Sequence, residues 1–176
     1  MEGWGEVIAV EAQERIYYAL AGNIALNNCF NARALHAAVG DTVGEIAIPV
    51  PNYQIPSSFG SLELKSRETT EFIGQPIDYA AGPKQSIRLL TIDSLGLRRL
   101  DFLKLDVEGM ELEALAGAAE TIARWAPAIL IEIIRSDRAK LEQRLQAWGY
   151  ELFPMGINVL AVHHDDPLRT RITKAS

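Results

Sequence analysis

LDFLKLDVEGMELEALAGAAETIARWAPAILIE, Leu100–Glu132, holds two short apolar runs on either side of a helical pattern. Phe102, Leu103 and Leu105 form the first run, which Lys104 interrupts and Asp106 ends. The acidic turn Asp106-Val107-Glu108-Gly109 follows. Leu112, Leu115, Ala116, Ala119, Ile122 and Ala123 then recur at the three-and-four spacing of one helix face. Pro127 closes that pattern, and Ala128-Ile129-Leu130-Ile131 runs into Glu132. Strand, acidic turn, helix and strand make a βαβ unit, and its right-handed crossover predicts parallel strands. Both strands end on carboxylates, at the edge where open α/β sheets place their ligands.

The chain in front repeats this order. Val7–Val10 reads as a buried strand ending on Glu11, and Ile16, Leu20 and Ile24 mark a helix over Gln13–Asn28. Ala32–Val39 reads as the next strand, turned by Gly40-Asp41. Residues 42–67 break the alternation, because Pro49 and Pro51 suit an edge strand or an irregular insertion. Residues 68–85 are polar and punctuated by Gly74, Pro76, Gly82 and Pro83, which predicts a surface loop before a short strand near Ile87–Leu90. Thr91–Leu95 reads as a helical turn. After Glu132, Ser136 and Asp137 offer a helix N-cap, and Gly149 stops that helix. Glu151–Phe153 and Asn158–Val162 then predict an antiparallel hairpin that closes the sheet.

Composition bounds the function. The 176 residues suit one domain, 48% of them are hydrophobic and 23% charged, as in a globular protein. A net charge of −6 with no basic block argues against nucleic acid as a partner. No apolar run is long enough to span a bilayer, and no signal segment is seen, so no membrane partner is expected. Cys29 stands alone, which excludes an internal disulfide and a multi-cysteine zinc site, and points to a reducing, cytoplasmic setting.

Glu11, Asp41, Asp106 and Glu132 all fall where a parallel sheet presents its C-terminal edge. A strand-ending glutamate such as Glu11 can accept both hydroxyls of a ribose, or it can be a solvated strand end. Asp41 can accept from an adenine amino group, or belong to an ordinary Gly-Asp turn. Asp106, Glu108 and Glu111 crowd three carboxylates into six residues. Such crowding needs water, a cationic ligand, or one group held as a base. Glu111 reads as a helix N-terminal charge favoured by the dipole. His36, inside a predicted strand, reads as a packed histidine. His163-His164-Asp165-Asp166 could ligate a metal, but neighbours in a strand face opposite ways, so the segment reads as a polar tail and no metal-ligand set is assigned.

Together these segments carry a resemblance. Thr91-Ile92-Asp93-Ser94-Leu95, Phe102–Glu111, Leu115-Ala116-Gly117-Ala118 and Pro127–Glu132 are similar to the core of the FkbM-type methyltransferases. Val7–Glu11, Asn23–Asn27, Ala38–Asp41 and Asn158–Ala161 extend the likeness from about Gly5 to Val162, with Lys104–Gly109 its most specific part. The resemblance implies a Rossmann-like class I methyltransferase sheet, mostly parallel, with an antiparallel C-terminal hairpin. It also implies S-adenosylmethionine as cofactor and a hydroxyl of a small molecule or glycan (a sugar or natural product) as acceptor. On that basis Glu11, Asp41 and Asp106 would bind cofactor, and Asp106, Glu108 and Glu132 would face the acceptor.

The family's opening strand and Gly-rich turn have no counterpart here, and Gly3-Trp4-Gly5 cannot replace them. The expected chain is therefore a single domain lacking its first βα unit, which alone would bind S-adenosylmethionine weakly. The alternative is a non-catalytic α/β remnant. Either way, Val7–Val10 and Phe102–Leu105 are expected to pair directly or through a second chain, since buried backbone groups are rarely left unpaired.

Overall fold

The computed structural model describes residues 5–67 and 70–172. Residues 3 and 4, weighed above as a substitute turn, lie outside that range, as do two residues of the predicted loop and the last four of the tail. Contacts group the chain into two compact units. One comprises residues 1–38 and 43–90, the other residues 39–42 and 91–176.

In the first unit, β1 (Val7–Glu11), α1 (Glu14–Leu26) and β2 (Ala32–His36) form the predicted βαβ unit. The strands pair in parallel, with Val7 opposite Ala32 and Glu11 opposite His36. The expected strand Ala32–Val39 is interrupted: Ala37 N donates to Glu11 O, and β3 (Ala38–Val39) joins a different sheet. That sheet runs β3-β5-β4, from β4 (Gly44–Pro49) and the central β5 (Lys84–Leu90). β4 lies at the edge, as Pro49 favours, and pairs antiparallel to β5. Ala38, Ile48 and Ile87 are the buried cluster beneath it.

The insertion between β4 and β5 is more ordered than a surface loop. Leu62 and Ile73 are buried in it, as are the polar side chains of Glu63 and Gln75, and the buried Gln13 reaches it from the start of α1. Gln75 accepts from Asn52 N and donates to Asn52 O and Ser57 Oγ. Gln13 donates to Phe59 O and accepts from Tyr53 Oη. Glu63 accepts from Glu71 N. Buried polar groups survive only when hydrogen-bonded, so these anchors let a polar segment pack without regular structure.

The second unit is built on the stretch that opens the sequence argument. β6 (Phe102–Leu105) and β7 (Ala128–Glu132) pair in parallel, with Leu105 opposite Ile131. The sheet continues β6-β7-β9-β8, where β8 (Tyr150–Met155) and β9 (Asn158–His163) are the predicted hairpin. Its two-residue turn starts at Gly156, whose φ of 65° suits glycine. Ile129, Ile131, Val159 and Ala161 bury one layer of this sheet, and Leu115, Leu141 and Leu145 come from the helices. Each large apolar side chain so buried contributes about 1.5–3 kcal/mol.

Two expectations are corrected here. The single helix expected over Leu112–Ala123 is two, α2 (Glu111–Ala116) and α3 (Ala119–Trp125). A Cβ on Gly117 would stand 2.1 Å from Gly40 O, so the backbones meet where no side chain fits. Asp93 then caps the second helix from a distant turn: its carboxylate accepts from Glu120 N at 3.1 Å and Thr121 N at 2.8 Å. Apolar spacing alone cannot distinguish one helix from two in line. Asp93→Ala is expected to cost about 1–2 kcal/mol, like other lost caps, read as a lower urea midpoint at unchanged slope.

The direct pairing expected between Val7–Val10 and Phe102–Leu105 is also absent. Among the described residues β1 pairs only with β2 and β6 only with β7, each at the edge of its own sheet. Val7 and Phe102 are each 53% exposed, as edge positions allow. The sequence of βα units predicted local parallel pairs correctly; it carried no information on which pairs would share a sheet. After β7, α4 (Arg138–Ala147) packs back on the hairpin, capped by Asp137 accepting from Lys140 N. No helix among the described residues is long and apolar enough to cross a membrane.

Candidate functional site

Parallel pairing of β6 with β7 brings their C-terminal ends side by side, so Asp106 and Glu132 each follow the last paired residues, Leu105 and Ile131. The turn after β6 brings in a third acid. Asp106, Glu108 and Glu132 each offer a carboxylate oxygen, and all three oxygens lie within 4.8 Å of one another. These are the three residues the sequence singled out as facing an acceptor.

Like charges so close must be compensated. Lys104 Nζ lies 2.5 Å from Asp106 Oδ2, and Arg135 Nε lies 3.7 Å from Glu108 Oε2. Lys104, two residues back along the chain, faces the same side as Asp106 and supplies its local cation. Glu132 is paired with neither cation. Burial pushes its carboxyl up from the ordinary 4.5, and the neighbouring Asp106 and Glu111 charges push it further, with Lys104 opposing. Carboxylates sharing one site raise the affinity of one for a proton, and here that of Glu132 is raised. A hard cation such as Mg²⁺ would suit three oxygens, but Lys104 and Arg135 already balance two of the charges.

A raised pKa has a consequence for stability. Glu132 contributes stability that is fully present below its unfolded value, near 4.5, and is lost as pH rises through its higher folded value. Glu132→Gln is therefore expected to flatten the fall in stability on the alkaline side of pH 4.5, read as urea midpoints across the acid range.

The turn that holds Glu108 is itself held. Glu108 and Gly109 have φ of 45° and 92°, and a non-glycine residue in that region costs on the order of 1–3 kcal/mol. Glu111 stabilises the turn from beneath. It is 1% exposed; Oε1 accepts from Gly109 N at 3.1 Å and Val107 N at 3.3 Å, and Oε2 accepts from Ser136 Oγ. It lies in the first turn of α2, as its reading as a helix N-terminal charge requires, and is buried there. Ser136 as a candidate cap is corrected: it donates to Glu111, and Asp137 caps α4. Glu111 and Ser136 were missed as a pair. The available signal was that each follows a strand end by a few residues, so parallel pairing would bring them together.

Of the predicted cofactor residues, Asp106 is part of this cluster. Glu11 belongs to the first unit and Asp41 and Asp106 to the second. Glu11 ends β1 half-buried, and its Oε1 accepts from Gln13 N at 2.7 Å at the start of α1. Burial pushes its carboxyl up, against the pull of the Gln13 and Ala12 amides. Asp41 is exposed in the turn after β3. His36 is packed as expected: its Nε2 donates to Ala12 O and its ring stacks on Tyr17 at 5.0 Å.

The tail acids and histidines behave differently from their sequence reading. His163, His164 and Asp165 bring one ligand atom each within 4.8 Å of one another. Strand alternation does not apply, because β9 ends at His163 and a turn folds the next residues back, with Asp166 N donating to His163 O.

Comparison with known proteins agrees with the fold. A family model described as "Methyltransferase FkbM domain" matches residues 1–152. A solved structure titled Methyltransferase FkbM, from Methylobacillus flagellatus KT, is similar in fold with a TM-score of 0.58 at 16% sequence identity. The match covers 90% of this chain and 36% of that protein, so the chain spans about a third of its length. No curated protein matches the chain.

Proposed function

The chain belongs to the FkbM methyltransferase family, and from that premise we propose that it transfers a methyl group from S-adenosylmethionine to a hydroxyl oxygen of a sugar or other small natural product. The observation that carries this reading is the Asp106–Glu132 pair at the ends of adjacent parallel strands, with Glu132 favouring a proton more than an ordinary glutamate does.

Glu11 fits the cofactor on chemical grounds. It is a half-buried carboxylate at a strand end, with one oxygen fixed by a backbone amide, and a carboxylate has about four acceptor positions to fill. In this reading Glu11 accepts from the ribose hydroxyls and Asp41 from the adenine amino group. S-adenosylmethionine supplies a methyl group that is already activated by the sulfonium.

What remains for the protein is alignment and removal of a proton. Glu132 is the base in this reading. Lys104 occupies Asp106 and Arg135 pairs with Glu108, which leaves Glu132 as the member of the cluster with raised proton affinity and no cation at salt-bridge distance among the described residues. Its carboxylate takes the proton of the acceptor hydroxyl as that oxygen becomes the nucleophile, and passes it to water. Asp106 and Lys104 would orient the acceptor through its other hydroxyls.

The test is incubation with S-adenosylmethionine carrying a labelled methyl group and a panel of sugars and phenolic or aliphatic alcohols. Label is expected in an ether product that withstands mild alkali, with S-adenosylhomocysteine released in equal amount. Absence of both transfer and calorimetric binding of S-adenosylmethionine would overturn the reading. Label on nitrogen would keep the methyl transfer and overturn the acceptor.

A further inference from the structure

We propose that His163, His164 and Asp165 form a binding site for one zinc-class divalent cation, at the end of the four-stranded sheet away from the carboxylate pair. β9 runs antiparallel to β7, with Asn158 opposite Glu132 and Ala161 opposite Ile129. His163 at the far end of β9 therefore lies beyond the N-terminal end of β7, and Glu132 lies at its C-terminal end.

The donor set is already gathered. His164 Nε2 is 3.3 Å from Asp165 Oδ1, and His163 Nδ1 is 3.7 Å from Asp165 Oδ2. One ligand atom from each residue lies within 4.8 Å of the others, and ligands of a tetrahedral zinc stand about 3.3 Å apart, so the side chains must close in around the ion. Two imidazoles and one carboxylate suit zinc, copper or nickel better than magnesium or calcium, which take oxygens. Three protein ligands leave the fourth position to water.

The backbone also sets the tautomers. His164 Nδ1 lies 3.0 Å from Gly149 O, which can only accept, so Nδ1 carries the proton and Nε2 presents its lone pair to the cluster. A backbone carbonyl holding the second ring nitrogen is the usual support of a metal-bound histidine. Asp165 N donates to His163 Nδ1 at 3.4 Å, a long contact that the ion would have to displace to take that lone pair. Tyr150, opposite His163 in the hairpin, packs edge-on against the ring at 5.3 Å. Gly149, at a φ of 84°, leaves room for both rings: a Cβ there would stand 2.7 Å from His164 Nδ1 and 3.1 Å from His163 Nε2.

The test is titration of the whole chain with zinc chloride against a chromophoric chelator, with cobalt(II) absorption as a second readout. One ion per chain is expected, with a dissociation constant on the order of micromolar or tighter, and cobalt bands of the intensity of four-coordination. His164→Gln and Asp165→Asn should each weaken binding by at least about tenfold. Both side chains are solvent-facing, at 58% and 78% exposed, so the fold should survive, and circular dichroism verifies it. Cys29→Ser and Glu132→Gln should leave affinity unchanged. Binding weaker than about millimolar would overturn the proposal. So would affinity indifferent to both ligand variants, or affinity lost in Glu132→Gln, which would place the ion among the carboxylates.

Discussion

Glu132→Gln is expected to slow methyl transfer by about 10²–10⁴-fold, the range over which a positioned general base contributes. The substitution keeps shape and removes only the capacity to take a proton. Because burial disfavours the charged form of Glu132, glutamine there should hold or raise the urea midpoint at neutral pH. Loss of rate without loss of stability is the signature sought. In the wild type, the rate should rise with pH as Glu132 ionises through its raised pKa, and the variant should lose that limb. Asp106→Asn supplies the contrast: it removes the partner of Lys104 and one charge that raises Glu132. Its residual activity should show the rising limb displaced towards lower pH. Unchanged turnover in Glu132→Gln would remove the residue from catalysis and return the role to Asp106 or Glu108.

Much of the fold was legible because its signals are local. The runs Phe102–Leu105 and Ala128–Glu132, with a helical pattern between them, read as a βαβ unit, and the two strands pair in parallel. The carboxylates at the strand ends were legible for the same reason. What sequence could not carry was the identity of long-range neighbours. Gly117 reads as one more small residue on a helix face until Gly40 O is found where its Cβ would be. Asp93 reads as part of a helical turn until its carboxylate is seen on the amides of Glu120 and Thr121. Lys104 reads as an interruption in an apolar strand, and strand geometry alone could have predicted it: residues 104 and 106 share a face. The tail failed in the opposite direction. Alternation separated His163 from His164 on paper, yet a turn that starts at His163 brings their rings to 4.2 Å. Alternation holds only while the ladder lasts.

Glu111→Ala is expected to damage stability and activity together, and by more than any other single change in the acidic turn. The carboxylate accepts from Gly109 N and Val107 N and from the hydroxyl of Ser136, all in a region where Glu111 itself is 1% exposed. Removing a buried acceptor costs about 1–3 kcal/mol for each donor it served, so a loss of about 3 kcal/mol or more is expected. That loss is directed at one place. The turn already holds Glu108 and Gly109 at positive φ, and a non-glycine residue leaves that region readily once the hydrogen bonds that hold it are gone. Asp106 and Glu108 would then lose their places beside Glu132, and the link to the loop after β7 through Ser136 would go with them. Glu111→Gln separates geometry from charge. It keeps one oxygen for the two amides, and the Ser136 hydroxyl can turn to accept from the new amide group. Urea midpoints and methyl transfer should both be largely retained in glutamine and both fall in alanine. Equal damage in the two variants would mean that the negative charge, rather than the acceptor geometry, holds the turn; wild-type behaviour in alanine would show that the turn stands without Glu111.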